Sequence, residues 1–260
     1  MPKLKKQKEA NFIKFLGTAG ARFVMIKQLR ASGGIWIKEG DVNLLIDPGP
    51  GSIVRCAASK PKLDPSQLDA IILTHRHLDH SNDINVMIEA MTEGGFKKRG
   101  SLFLPEDALG NDTVVLNYAL GFVDKMEYLK ENSEYKVEGF NFKTGPKNIH
   151  PVETYGLKFQ LAGKSIGLIG DTSFYPEIID HYNTDILIIN VVFFEPRPGV
   201  QHLSFEDAKY IISKLKPKTT ILTHFGMSML KHKPHILVEN LKKEFNLDII
   251  AAYDGMTVNI

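Results

Sequence analysis

The chain has 260 residues, 43% of them hydrophobic and 24% charged, which supplies enough apolar material for a large buried core and excludes wholesale disorder. A formal net charge of +2 excludes any argument for nucleic-acid binding from bulk charge, and no apolar run reaches membrane-spanning length. The one cysteine, Cys56, excludes an internal disulfide framework, is expected in the core, and points to a reducing, cytoplasmic setting.

In chain order, residues 1–10 carry Lys3, Lys5, Lys6 and Lys8 with no apolar stretch after them, and are expected to form a solvated basic tail. Residues 1–30 hold eight basic side chains against one acid, Glu9, so this end is positive. Arg22, Arg30 and Ser32 flank the Gly33-Gly34 turn there and are candidates for phosphate contact, because a guanidinium fork matches phosphate oxygens. Trp36 is expected in the core. The run Leu44-Leu45-Ile46-Asp47 predicts a strand that delivers an aspartate into the turn Pro48–Gly51.

A second apolar run, Ile71-Ile72-Leu73, leads into His75-Arg76-His77-Leu78-Asp79-His80, which gathers three of the nine histidines and a carboxylate into one loop. That composition holds metal. In an extended segment His75 and His77 face the same way and suit one ion, while Asp79 and His80, past the bend, turn toward a second. A helix is expected from Ser81–Asp83 onward, with Asp79 and His80 at its amino terminus and Ile84, Met87, Ile88 and Met91 on its inner face. The region from Thr92 to Lys147 shows a strand at Ser101–Leu104 and turns at Gly94-Gly95 and Gly145-Pro146, but no linker, so 1–260 reads as one domain.

Leu168-Ile169-Gly170-Asp171 repeats the strand-then-aspartate pattern of Leu44–Asp47, and Thr220-Ile221-Leu222-Thr223-His224 echoes the run into His75. Two similar halves follow. Continuous apolar runs at Ile186–Ile189 and Val191–Phe194 predict strands covered on both faces, hence an α/β fold of stacked sheets flanked by helices. Phe205–Leu215 predicts a helix, with Ser204 and Asp207 as a capping pair and Pro217 past its end. Another follows Pro234, with Ile236, Leu237, Leu241 and Phe245 inward.

The histidine loop supplies four ligands, which leaves a two-metal site short; His150, Asp171 and His224, each beside a predicted turn or strand end, are the candidates to complete it. On these residues the chain resembles the metallo-β-lactamase superfamily, and the resemblance implies a four-layer αββα sandwich with a metal site at one edge of its sheets. It also implies that His75, His77 and His150 hold a first ion, that Asp79, His80 and His224 hold a second, and that Asp171 bridges them. Asp47 matches a position that orients the histidine loop without touching metal.

Within the superfamily the chain looks closest to the ribonuclease Z and cyclic-phosphodiesterase branch. Phe15–Arg22 resembles its opening strand and glycine loop, His150 with Tyr155-Gly156-Leu157 its third-ligand motif, and His202-Leu203-Ser204-Phe205-Glu206-Asp207-Ala208 its catalytic histidine segment. Two departures stand out. Ser81-Asn82-Asp83-Ile84 follows the Asp-His pair where the branch has a glycine, and no glycine- and basic-rich arm of the kind that grips a tRNA elbow is present.

The expectation is therefore a hydrolase with two divalent ions, acting as a phosphodiesterase or ribonuclease-Z-like nuclease through a metal-bridging hydroxide that Asp79 orients or deprotonates. His202 would protonate the leaving oxygen. Two ions offset by Asp79 and Asp171 favour a small anionic or phosphodiester substrate, RNA included, and no membrane partner. Zinc suits imidazole ligands, and manganese or iron fits the same cage. The alternatives are a carbonyl-ester hydrolase (lactonase, thioesterase or β-lactamase-like), which has no need of His202, and a non-catalytic metal-stabilised binding protein; a homo-oligomer is compatible with any of them.

Overall fold

The computed structural model describes residues 11–260; the basic tail expected at 1–10 lies outside the described residues. Two seven-stranded sheets form the centre. The first contains β1 (Phe12–Phe15), β2 (Ile35–Glu39), β3 (Val42–Ile46), β4 (Ala70–Ile72), β5 (Ser101–Leu104) and β6 (Lys125–Tyr128). The second contains β7 (Glu134–Val137), β8 (Phe140–Lys147), β9 (Tyr155–Leu161), β10 (Lys164–Ile169), β11 (Ile186–Asn190), β12 (Thr219–Thr223) and β13 (Asp248–Ala251). The last strand, β14 (Thr257–Asn259), returns to the first sheet and pairs antiparallel with β1.

Each sheet is antiparallel on one side and parallel on the other. Strands β3 to β6 run parallel, as do β10 to β13, and both sets begin at the strand that delivers an aspartate. The two halves are thus alike, as the paired aspartates suggest. The Leu-Thr-His echo is not part of that correspondence: His75 follows β4, next to β3, whereas His224 follows β12, two strands from β10.

Apolar residues of a parallel strand serve two cores, because alternate side chains leave opposite faces. In β11, Ile186 and Ile188 enter the layer between the sheets, while Leu187 and Ile189 pack outward against helices. In β3, Leu44 faces the inner core and Leu45 the outer one, together with Trp36 and Cys56. The helices are α1 (Ala21–Ile26), α2 (Ser52–Ala58), α3 (Leu78–Ser81), α4 (Ile84–Met91), α5 (Asn117–Leu120), α6 (Glu177–His181), α7 (Phe205–Leu215), α8 (Met227–Lys231) and α9 (Pro234–Phe245). Side chains from α2, α4 and α5 cover the first sheet and those from α6 to α9 the second, giving the αββα sandwich.

Three local expectations are corrected. Val191–Phe194 is not a strand: β11 stops at Asn190, and the buried Val191 and Val192 lead out of the sheet into a loop that touches back through one bridge, Phe193 to Ser204. In α9 the inner face is Pro234, Val238 and Leu241, so Ile236 lies outside it and is 46% exposed. Asp79 and His80 sit on the one-turn α3, separate from α4, because the Asp83 amide leaves the helical pattern to donate to Pro48 O at 2.9 Å. The capping box at Ser204 and Asp207 is formed as expected.

Asp185, at the entry to β11, accepts bonds from Lys218 Nζ at 2.8 Å, from the Ser165 amide at 2.9 Å and from the Ser165 hydroxyl at 2.8 Å. The bond from Lys218, followed by those from Ser165, lowers its pKa. A depressed carboxylate stabilises the fold above its unfolded pKa of about 3.9 and loses that contribution as pH falls toward the folded value. Asp185→Ala is therefore expected to lower the Tm at pH 7, and the gap to wild type should narrow in thermal melts run progressively below pH 4.

Candidate metal centre

The site assembles where the parallel strands end, so one edge of the sandwich collects the turns that follow β3, β4, β10, β11 and β12. Asp47 follows β3 and His224 follows β12, both with the left-handed backbone that side chains other than glycine rarely adopt, at φ of 53° and 59°. His75 comes two residues after Leu73 and is fully buried. His77 caps α3, which carries Asp79 and His80. His150 lies in the β8–β9 turn, Asp171 follows β10, and His202 lies in the loop between β11 and α7.

Hydrogen bonds fix which ring nitrogens face inward. Asp47 accepts from the Thr74 amide at 2.6 Å and from the Thr74 hydroxyl at 2.7 Å, and its Oδ2 lies 2.9 Å from His80 Nδ1. Nδ1 of His80 must then carry a proton, which leaves Nε2 as the nitrogen turned to the cluster. Since the Thr74 hydroxyl proton is given to Asp47, that oxygen accepts from His75 Nδ1, 3.1 Å away, and frees His75 Nε2 in the same way. His150 donates from Nδ1 to Gln201 O at 2.9 Å, which leaves its Nε2 3.0 Å from His77 Nδ1.

Three of the inward nitrogens have no hydrogen-bond partner. His75 Nε2, His80 Nε2 and His224 Nε2 are buried and make no hydrogen bond, an arrangement that costs about 1–3 kcal/mol for each buried polar atom left so. Their spacing identifies what they suit. Around a tetrahedral ion with bonds of about 2.0–2.1 Å, donor atoms stand about 3.3 Å apart. His224 Nε2 lies 3.4 Å from Asp171 Oδ2 and 3.6 Å from Asp79 Oδ2, and His80 Nε2 lies 3.5 and 3.8 Å from the same two oxygens. A second set consists of the inward nitrogens of His75, His77 and His150, all within 4.8 Å of one another, with Asp171 Oδ2 at 3.9 Å from His75. The donor set fits divalent cations of the zinc type.

Charge in the cluster is unevenly held. Burial, reinforced by the neighbouring His80, lowers His75 well below the usual imidazole range, and burial with His150 beside it lowers His77 to about 4. For His80 burial also acts downward, yet Asp79, Asp47 and Asp171 outweigh it and raise the group well above its ordinary value. Asp171 is held well below the carboxylate range: burial pushes it up, but His224, His202 and His80 pull it down further.

The remaining sequence candidates separate. His202 joins the cluster, with Nδ1 3.4 Å from Asp171 Oδ2 and its ring edge-on to His150. Arg22 stands at the mouth of a cleft of about 420 Å³ that His77, Asp79, Asp171 and His202 also line. Arg30 is committed to the fold, donating to Thr18 Oγ1 at 2.9 Å and Ala252 O at 3.0 Å and lying over the Phe225 ring. Ser32 is buried, so neither it nor Arg30 takes the phosphate-contact role expected from the sequence.

Four residues not singled out from the sequence hold the site in place. Thr74 relays Asp47 to His75; Asn190 donates to Asp171 Oδ1 at 2.8 Å; Asn148 donates to Asp171 O at 3.1 Å; Asp254 accepts from the Thr18 amide, the Thr18 hydroxyl and the Ala31 amide at 2.7–3.0 Å. Asn190 ends a strand beside that of Asp171, which is the one signal the sequence offered. Gly20 is required because a Cβ there would stand 1.9 Å from His224 O.

Imidazoles bind metal through a free lone pair, so zinc affinity is expected to rise as pH is raised from about 5 to about 7, read by competition with a chromophoric chelator at each pH. Asp47→Ala removes the acceptor that orients His80 and is expected to weaken zinc binding about 10–100-fold in competition with a chromophoric chelator.

Comparison with known proteins agrees with this architecture. Residues 42–225 match the model of the beta-lactamase superfamily domain. The uncharacterized protein MJ1374 of Methanocaldococcus jannaschii is 31% identical over 256 residues, covering 95% of this chain and 94% of that protein. The probable metallo-hydrolase YhfI of Bacillus subtilis is 26% identical over 235 residues (86% and 91% of the two chains), and its crystal structure superposes with a TM-score of 0.75 at 22% identity over 97% of this chain and all of that one. Ribonuclease Z of Thermoplasma volcanium is 30% identical over 157 residues, 59% of this chain and 49% of that enzyme. A diphosphatase of the PhnP family superposes with a TM-score of 0.73 at 21% identity over 96% of this chain and 98% of that one. By sequence and by fold, the chain belongs to the beta-lactamase superfamily of metal-dependent hydrolases.

Proposed function

We propose that the protein is a two-metal phosphodiesterase in which His75, His77 and His150 hold one divalent ion, Asp79, His80 and His224 the other, and Asp171 both. The observation that carries the reading is the cleft itself, where Arg22, His202, Asp79 and Asp171 line one space of about 420 Å³. Bound ions of this kind supply a water of lowered pKa and Lewis-acid stabilisation of phosphoryl oxygens. Zinc is the ion that this imidazole-rich donor set suits best.

The chain's own residues provide the rest. Arg22, which makes no ion pair among the described residues, stands at the entrance and pairs with the phosphodiester anion. Asp79 orients the attacking water or accepts its proton. His202 keeps Nδ1 beside Asp171, leaving Nε2 to hand a proton to the departing oxygen. Burial lowers the His202 pKa and Asp171 opposes that only in part, so the ring takes up its proton under the bound anionic diester's pull on the site.

Residues 92–147 support a small substrate over a folded RNA, since they are taken up by strands and short helices from β5 to β8 and include no basic arm. The similarity to ribonuclease Z, which spans about half that enzyme's length, supports phosphodiester chemistry in general.

His202→Ala is expected to lower kcat on bis(p-nitrophenyl) phosphate about 10²–10⁴-fold at unchanged metal content, measured with elemental analysis of both proteins. An unchanged rate would remove His202 from the mechanism. No turnover by metal-loaded wild type would shift the reading to carbonyl esters such as lactones and thioesters.

A further inference from the structure

One wall of the catalytic cleft is built of the wrong residues for a polar substrate. Alongside Arg22 and His202 it is formed by Met25 and Ile26 of α1 and Leu78 of α3. Ile26 is 66% exposed and Leu78 62%, and on or just after the same helix Phe23 is 60% and Leu29 52% exposed. Among the residues of α1 only Val24 is buried, so the helix presents its hydrophobic side chains outward, the reverse of an ordinary amphipathic surface helix.

Its position is not accidental to the site. The Gly20 amide donates to Phe225 O at 3.0 Å and the Phe225 amide to Thr18 O at 2.9 Å, so the segment entering α1 is tied to the loop of His224. Leu78 sits between His77 and Asp79 on the histidine loop. Both apolar walls are therefore held rigidly against the reacting centre. Exposed contiguous apolar surface beside a polar anchor marks a ligand-binding surface. A nucleic-acid backbone needs a rim of cations, and here Arg22 stands among apolar side chains.

We infer, building on the phosphodiesterase reading, that the substrate is a small phosphodiester carrying a compact apolar ester group, which packs between Met25, Ile26 and Leu78 while Arg22 pairs with the phosphate. Met25, Ile26 and Leu78 are specificity-determining residues. Selectivity arises because a polar group of the same size gains nothing from these walls, whereas a hydrocarbon ring leaves water there.

Calorimetric titration of the metal-loaded protein with benzylphosphonate and methylphosphonate, which share an anionic head and differ by one ring, tests this without turnover. The benzyl compound is expected to bind about tenfold tighter or more, and Ile26→Ser and Leu78→Ser should bring the ratio to within about twofold of parity. The kcat/KM ratio for benzyl p-nitrophenyl phosphate over methyl p-nitrophenyl phosphate, which release the same phenolate, should follow the same pattern. Equal binding of the two phosphonates by wild type overturns the inference, and equal turnover of both diesters overturns it while leaving the phosphodiesterase reading standing. A benzyl preference in binding with neither diester hydrolysed supports the apolar subsite and removes the phosphodiesterase reading. Equal binding together with a dimer that Phe23→Glu dissociates in sedimentation reassigns the surface to a second copy of the chain.

Discussion

A lone carboxylate oxygen, Asp171 Oδ2, has ring nitrogens of His75, His80, His202 and His224 at 3.4–3.9 Å, and the remainder of the site is organised by that convergence. One negative charge does not stabilise four imidazolium ions at such range; burial, with His80 beside it, holds His75 down, whereas Asp79, Asp47 and Asp171 raise His80. Neutral rings bring the other difficulty, lone pairs aimed at lone pairs in a space without donors. Divalent cations resolve both conditions together, since each accepts several imidazole lone pairs and matches the carboxylate charge. Metal binding and the integrity of this edge of the sandwich are in that sense one property.

Holding the imidazoles in place needs backbone geometry that the chain does not adopt without support. Left-handed residues at Asp47 and His224 each carry strain of about 1–3 kcal/mol, and each is over-determined by its surroundings. Asp47 is fixed by Thr74 and His80, and His224 lies against the close backbone approach that Gly20 permits. The strained positions lie at strand ends, where the parallel ladders of β3–β4 and β10–β12 are already rigid and transmit little of the cost into the core. Strain, burial and charge meet at the catalytic edge because the sheets can hold them there.

The fold was legible where one physical signal dominated. Continuous apolar runs at Ile186–Ile189 and Leu44–Ile46 revealed strands buried on both faces, and the Ser204–Asp207 box with Phe205, Ala208, Ile211 and Ile212 revealed α7. Periodicity failed where tertiary contacts overrode it: Val191 and Val192 are apolar because they lie buried beneath a loop, and Ile236 reads as core although α9 turns it to solvent. At the site, the seven residues grouped as metal ligands were visible as His and Asp next to turns, and all seven converge. What the sequence hid were the partners whose roles exist only through long-range contacts, such as Thr74 to Asp47, Asn190 to Asp171, and Gln201 O to His150. Arg30 misled for the same reason, since its engagement with Thr18, Ala252 and Phe225 joins segments 12 to 222 positions apart.

Asp254 joins the two ends of the described chain, because its carboxylate holds the Thr18 and Ala31 amides while β14, just beyond it, completes the sheet beside β1. The glycine loop next to His224 is thus set by a residue made late in synthesis. As the polypeptide leaves the ribosome from its amino end, the histidine loop emerges long before the aspartate that secures the loop beside His224.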